Sequence, residues 1–349
     1  MTTSAAGAAG YRVERWTRTS AIASGAALVL VALLVLVPLT LDANATQQMT
    51  SLLILVILAV MWNALAGFGG LVSVGQQAFI GFGAYGTIFL TQQGWSPYPS
   101  MGVAALCAGI VALPVSALVL RLRGGQFAIG TWVVAEVFLL LATLDQNLGG
   151  GTGTSLRGLN VYSIGDRLTY TYWLALAAAV GVLLVLFFVL RSRLGASLQA
   201  IRDDEEAAAS VGIRVTSGKR ILFIFAAVGC AAAGALTLAN TLFIEPTSIF
   251  SVQFSAYMIF MVLVGGLGTF EGPIIGAVVF FLIQNQFADS GAWYLVGLGA
   301  VAILFALFVP RGIWGTIEHR FNLRLLPLGY RLRAVDASSA PRTQGDRDD

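Results

Sequence analysis

Charge is what this 349-residue chain has least of: Asp, Glu, Lys and Arg together make up 11% of it, and there is one histidine. Soluble domains carry about 25% charged residues, so a water-solvated globule is excluded. His319 stands alone in a polar tail, so no serine, histidine and acid can meet, which disfavours an intramembrane hydrolase. The two cysteines, Cys107 and Cys230, both fall in apolar runs, where they read as small buried residues rather than a disulfide framework or metal cluster. No P-loop, kinase or dinucleotide motif occurs, so the chain does not itself hydrolyse ATP. No loop interleaves aromatic with basic residues as base-stacking surfaces do. No catalytic residue, metal ligand or nucleic-acid partner is therefore assigned.

What the chain has in excess is hydrophobicity, at 57% apolar residues and a mean hydropathy of +0.83. A crossing of about 30 Å of hydrocarbon takes roughly 17 to 25 residues. Such runs stand at 21–41, 49–66, 74–91, 101–120, 126–144, 172–190, 221–240, 254–267, 273–288 and 292–309. They predict an all-α polytopic membrane protein with about ten transmembrane helices in the lipid bilayer. The runs at 254–267 and 273–288 are short and are expected to be broken or re-entrant, sheltered inside the bundle. Arg12, Arg15 and Arg18 precede the first run and Ala43-Asn44-Ala45 follows it, as in a cleaved signal. Signal h-regions are only about 7 to 15 residues long, so 21–41 reads as a retained span.

Of the 20 Lys and Arg residues, only Arg157 and Arg167 fall in the loop 145–171. Lys and Arg mark the cytoplasmic side, so both termini are expected there. The chain then divides into a cytoplasmic tail 1–20, a transmembrane domain 21–309 with a cytoplasmic loop 191–220, and a cytoplasmic tail 310–349. The polar stretches 1–15 and 334–349 have little to bury and are expected to be disordered. Gly149 to Thr154 reads as a flexible surface loop or, less commonly, a backbone anion nest.

The scarce charges concentrate in one cassette, Gly195 to Arg214, followed by Lys219 and Arg220. Asp203 is placed to cap a helix over 204–211, with Glu206 three residues on to reach back and Gly212 free to take the left-handed turn that ends it. A short capped helix at the water interface suits docking onto a soluble partner; a solvated connector is the alternative. Two glycine-rich stretches lie in apolar runs. In 67–86, Gly75, Ala78 and Gly81 recur at helical spacing and let another backbone approach. Gln76 and Gln77 point about 100° apart on a helix, so at least one amide faces the bundle, as packing glue or as lining for a polar solute. In 265–276, Gly268, Gly272 and Gly276 stand four residues apart, with Pro273 where a helix can begin. Glu136 lies well inside the run 126–144, where a carboxylate is either functional or held by a structural hydrogen bond. An ion-coupled secondary carrier using Glu136 is the alternative to a conduit driven by a partner.

These motifs, in order, resemble the membrane permease subunit of branched-chain amino-acid ABC importers, the longer of the two permeases such systems pair. The resemblance runs from about residue 50 to 310. It rests on Gly75-Gln-Gln-Ala-Phe-Ile-Gly-Phe-Gly-Ala-Tyr85, Arg121-Leu-Arg-Gly-Gly-Gln-Phe-Ala-Ile129 leading to Glu136, Gln199-Ala-Ile-Arg-Asp-Asp-Glu-Glu-Ala-Ala-Ala-Ser-Val-Gly-Ile213, and Gly265-Gly-Leu-Gly-Thr-Phe-Glu-Gly-Pro-Ile-Ile-Gly276. It implies that Arg202, Asp203, Asp204, Glu205, Glu206, Ala207, Ala208 and Gly212 form the coupling element seated on an ATP-hydrolysing subunit. It also implies a second permease as heterodimer partner, two ATPases that hold ATP and magnesium, and an extracytoplasmic solute-binding protein. The chain itself is expected to bind no cofactor and to reside in a bacterial cytoplasmic membrane. The expected substrate path runs past Ser73, Gln76, Gln77, Phe79 and Tyr85, with Glu136 added. Gly75, Gly81, Gly268, Gly272 and Gly276 are expected to pack helices. Two departures stand out: Glu206-Ala-Ala-Ala only approximates the family's Glu-Ala-Ala pattern, and Gln76 replaces a histidine common among relatives. Implied substrates are branched-chain or other amino acids, or small polar solutes such as urea and amides.

Overall fold

A backbone inside hydrocarbon has no water to bond to and must close its hydrogen bonds on itself. The computed structural model is accordingly helical over most of the residues it describes, 11–14, 18–287, 291–321 and 331–334. By contact the chain forms two compact units, Met1–Val31 with Leu323–Asp349, and Ala32–Asn322. In the first, strand β1 (Tyr11–Glu14) pairs antiparallel with β4 (Arg331–Ala334), Tyr11 opposite Ala334. The expectation of disorder over 1–15 therefore fails at Tyr11–Glu14, whose backbone finds a ladder partner; the rest of both polar stretches lies outside the described residues apart from Ala334.

The helices are α1 (Arg18–Val35), the single turn α2 (Val37–Thr40), α3 (Ala43–Asn63), α4 (Gln77–Gln92), α5 (Pro97–Val119), α6 (Gly125–Leu144) and α7 (Ile164–Arg191). Then come α8 (Arg193–Asp203), α9 (Glu205–Ser210), α10 (Val215–Thr241), α11 (Pro246–Ile249), α12 (Gln253–Gly265), α13 (Gly272–Phe287), α14 (Ala292–Phe308) and α15 (Gly312–Phe321). Every apolar run of the sequence forms a helix. Among the described residues, seven stretches are long and apolar enough to cross a membrane, α1 and α13 contribute shorter apolar helices, and α4 has 16 residues.

Burial sets the order of the bundle. The apolar stretch of α3 is 89% buried and that of α10 67%, whereas α6 is 22% buried and the α14–α15 stretch 11%. α3 is thus central, and α10 packs on α3, α4, α5 and α7. The α4–α10 crossing is tight because its residues are small: a methyl on Gly83 would strike the Ala231 carbonyl, and one on Gly234 the carbonyl of Ile80. α12 alone has 13 residues, about 20 Å of helix at 1.5 Å per residue, short of the hydrocarbon thickness; it reaches spanning length only together with α11, as the stretch Pro246–Gly265. α12 forms a close hairpin with α13, in which Gly276 lies against the Met261 carbonyl.

Two stretches carry more structure than their composition suggests. The loop 145–163 is built of 3-10 turns and of strand β2 (Thr154–Ser155), which pairs with β3 (Phe243–Ile244); Leu156 and Leu159 are buried under it. The glycines serve that packing, since Gly153 lies against the Ile244 carbonyl, and the flexible-loop expectation is corrected. The polar tail after Pro310 begins as α15, packed on α12 and α13, so His319 lies on a helix.

Candidate functional site

The charged cassette folds as two helices joined at a corner. Ser192 caps α8, its Oγ accepting from the Leu194 N–H at 3.1 Å. Leu198 and Ile201 turn inward and are buried, which docks α8 on the first turns of α10. The cap expected at Asp203 falls one residue later. Asp203 completes α8, while Asp204, in extended conformation, accepts from the N–H groups of Glu206 (2.9 Å) and Ala207 (3.0 Å) to start α9. Asp203 instead holds the Arg202 guanidinium at 3.2 Å. Only Ala208 of α9 is buried, and Gly212 ends the helix at φ +85°. Lys219 Nζ pairs with Glu205 at 2.6 Å and ties α9 back to α10. Glu206 does not reach back to the cap. Its side chain is 89% exposed, 3.9 Å from Arg123, a water-screened pair of little energetic weight. The outer side of α9 is therefore left to solvent.

Beneath the cassette two helix breaks meet. α3 loosens into a π-helical turn, Ala64–Phe68, and the chain then folds back without regular structure: the Leu71 N–H bonds the Leu65 carbonyl at 2.9 Å and Trp62 Nε1 bonds the Ser73 carbonyl at 2.9 Å. The second break is the turn between α12 and α13. Asn63, fully buried, spans both breaks: its Nδ2 donates to the Thr269 carbonyl at 2.8 Å and its Oδ1 accepts from the Gly268 N–H at 2.9 Å. Gly67 lies so close to the Gly268 backbone that a methyl would not fit. Arg202 closes the junction from the cassette, its Nη1 donating to the Gly67 carbonyl at 3.0 Å. One arginine thus joins α8 to a carbonyl in the first helix break, beside the second.

The residues expected along the substrate path separate into two groups. Ser73, Gln76, Gln77, Phe79 and Tyr85 are all buried in the chain's own packing. Gln76 Oε1 accepts from the Cys230 thiol of α10 at 2.6 Å. Gln77 Oε1 accepts from Ser255 Oγ of α12 at 2.6 Å, and its Nε2 donates to the Val74 carbonyl at 2.9 Å. Ser73 Oγ takes the Gly75 N–H at 3.3 Å. Phe79 sits edge-on to Phe223, with ring centroids 5.6 Å apart, and Tyr85 stacks on Phe250 at 6.0 Å. Both amides point inward, where they bond neighbouring helices. Glu136 is the exception: it is exposed on the outer side of α6, accepting from Trp132 Nε1 at 3.0 Å.

The expected packing glycines sit at close backbone approaches. Gly75 lies against the Thr131 carbonyl of α6, Gly81 under the Phe250 ring, Gly268 at φ +75° beside Arg202, and Gly272 and Gly276 between α12 and α13. Asn63, Thr131, Cys230 and Ser255 are polar partners that sequence reading passed over. A lone amide at the end of an apolar run was the available signal for Asn63; nothing local marks the other three.

Comparison with known proteins follows the same lines. The family model for the branched-chain amino acid transport system / permease component matches residues 44–308. The chain is 29% identical, over 331 residues, to the high-affinity branched-chain amino acid transport system permease protein LivM of Salmonella typhimurium, covering 85% of this chain and 77% of that protein. The LivM of Escherichia coli matches with the same identity and coverage. Among solved structures, a metal-chelate type ABC transporter in an inward-facing conformation aligns with TM-score 0.45 and 16% identity, over 83% of this chain and 99% of the other.

Proposed function

Since the chain belongs to the family of branched-chain amino acid transport system permease components, we propose that it is the membrane-spanning permease subunit of an ATP-driven importer, carrying amino acids inward by alternating access. ATP and magnesium are held by two separate ATPase subunits. A second permease completes the conduit, and an extracytoplasmic binding protein delivers the solute. The cassette end of the bundle faces the cytoplasm, where Arg121, Arg123, Arg191, Arg193, Arg202, Arg214, Lys219 and Arg220 gather, with Arg157 and Arg167 outside. The membrane is the bacterial cytoplasmic membrane.

The observation that carries this reading is the α8–α9 corner. An exposed, well-capped helix stands at the water interface, and the arginine at its root grips a carbonyl in a helix break. A push on α9 is relayed through Arg202 to the junction of Asn63, Gly67 and Gly268, where the helices are already interrupted and so can shift as units. Glu206, exposed and weakly held, is placed to meet the ATPase.

The test is affinity purification of the tagged chain in mild detergent, with and without Glu206→Arg. Recovery of a P-loop ATPase and a second permease, with the ATPase lost in the variant, supports the reading. A single-chain preparation unaffected by the variant, taking up solute on a proton gradient alone, overturns it in favour of a carrier.

A further inference from the structure

α6 presents two faces. Phe127, Thr131 and Ala135 are buried against the bundle, whereas Ile129, Trp132, Val133, Glu136, Val137 and Leu140 point away from it. The outward faces of the other peripheral helices are apolar, as with Leu106 and Ile110 near the middle of α5, Leu184 on α7 and Ile303 on α14. Such faces suit lipid. Glu136 does not: it lies eight residues from the nearer end of its helix, about 12 Å at 1.5 Å per residue. A glutamate side chain is too short to reach the headgroups from there. A carboxylate at that depth is retained where it meets water or a cation, not acyl chains. Its one hydrogen-bond partner among the described residues, the Trp132 indole one turn away, occupies a single lone pair and aims the carboxylate outward.

We propose that this face of α6 is one wall of the water-filled solute conduit, closed opposite by the second permease subunit, and that the Glu136 carboxylate binds the ammonium group of an amino acid in transit. The inference rests on the permease reading and deepens it. Val133, Val137 and Leu140 beside the carboxylate supply an apolar surface for an aliphatic side chain, while Trp132 offers both an oriented N–H and a π face to a cation. The substrate class is thereby narrowed to solutes with a cationic amine and an aliphatic body. Neutral urea and amides have no group for Glu136 to hold.

The experiment uses the complex co-purified with its partner chains and reconstituted in vesicles. Val133→Cys and, as a lipid-facing control, Ile110→Cys are each made in a Cys107→Ala background and treated with a hydrophilic thiol reagent. Val133→Cys is expected to react at least about tenfold faster than Ile110→Cys and to be protected by saturating leucine. Equal, slow reaction at both positions overturns the wall. In parallel, Glu136→Gln is expected to cut leucine uptake about tenfold, with partial recovery in Glu136→Asp and normal recovery of the complex on gel filtration. Unchanged leucine uptake by Glu136→Gln overturns the ammonium site. If unaltered vesicles show no ATP-dependent uptake of any amino acid, the importer reading itself fails, while the thiol reactivity still reports whether this face is wet.

Discussion

Arg202 carries more of the site than its exposure suggests, because its donors are used in two directions. Nε and Nη2 take Asp203 within α8, and Nη1 crosses to Gly67. A lysine offers a single point of charge in place of that fork. Arg202→Ala is expected to lower ATP-driven uptake at least about tenfold and Arg202→Lys to restore only part of it, with the ATPase still bound on co-purification. Loss of the ATPase along with uptake would move Arg202 from relay to docking. The glutamines behave differently. Gln77→Leu strands the buried Ser255 hydroxyl and the Val74 carbonyl, a cost of about 1–3 kcal/mol per group. A lowered detergent melting temperature with unchanged KM for uptake is the expected result; a changed KM at unchanged stability would return Gln77 to the substrate path. That at least one of these amides faces inward was readable from the cost of an amide in lipid; that both do was not. Nor were their partners, Cys230 and Ser255, since they come from helices more than 150 residues further along.

At the scale of elements, the cassette shows where local signals stop. Four acids in a row, Asp203 to Glu206, drew the expected cap to Asp203, and α8's last turn moved it to Asp204 by absorbing Asp203. Asp204→Ala is accordingly expected to destabilise α9 by about 1 kcal/mol, and Asp203→Ala not to disturb its start; amide exchange at Glu206 and Ala207 distinguishes them. Gly212→Pro replaces φ +85° with a ring locked near −65°. Uptake should be abolished while membrane insertion persists, checked by uptake and membrane fractionation together. Normal transport by this variant would remove α9 from the coupling route.

For the whole molecule, the ends of the bundle separate by charge. Arg123, Arg202 and Lys219 contact the cassette at one end, while Arg167 lies at the other, where its carbonyl accepts the Tyr98 hydroxyl. Cysteine placed at Ser210 in α9 is expected to react with an impermeant thiol reagent only in inside-out vesicles, and at Thr152 only in right-side-out ones. The reverse pattern would invert the orientation and with it the direction of transport.

Membrane class, the positions of ten apolar helices and the location of the charged cassette were determined by the sequence alone, because hydropathy and charge density are sums over neighbouring residues. Which face of each helix is covered is not such a sum. Glu136 and Gln77 both sit in apolar helices; only the packing of α10 and α12 around one, and of none of the described residues around the outer side of the other, separates a structural amide from an open carboxylate. The junction of Asn63, Gly67, Arg202 and Gly268 was decided by tertiary structure for the same reason: its members come from three distant stretches, and only the folded bundle brings their backbones within hydrogen-bond reach.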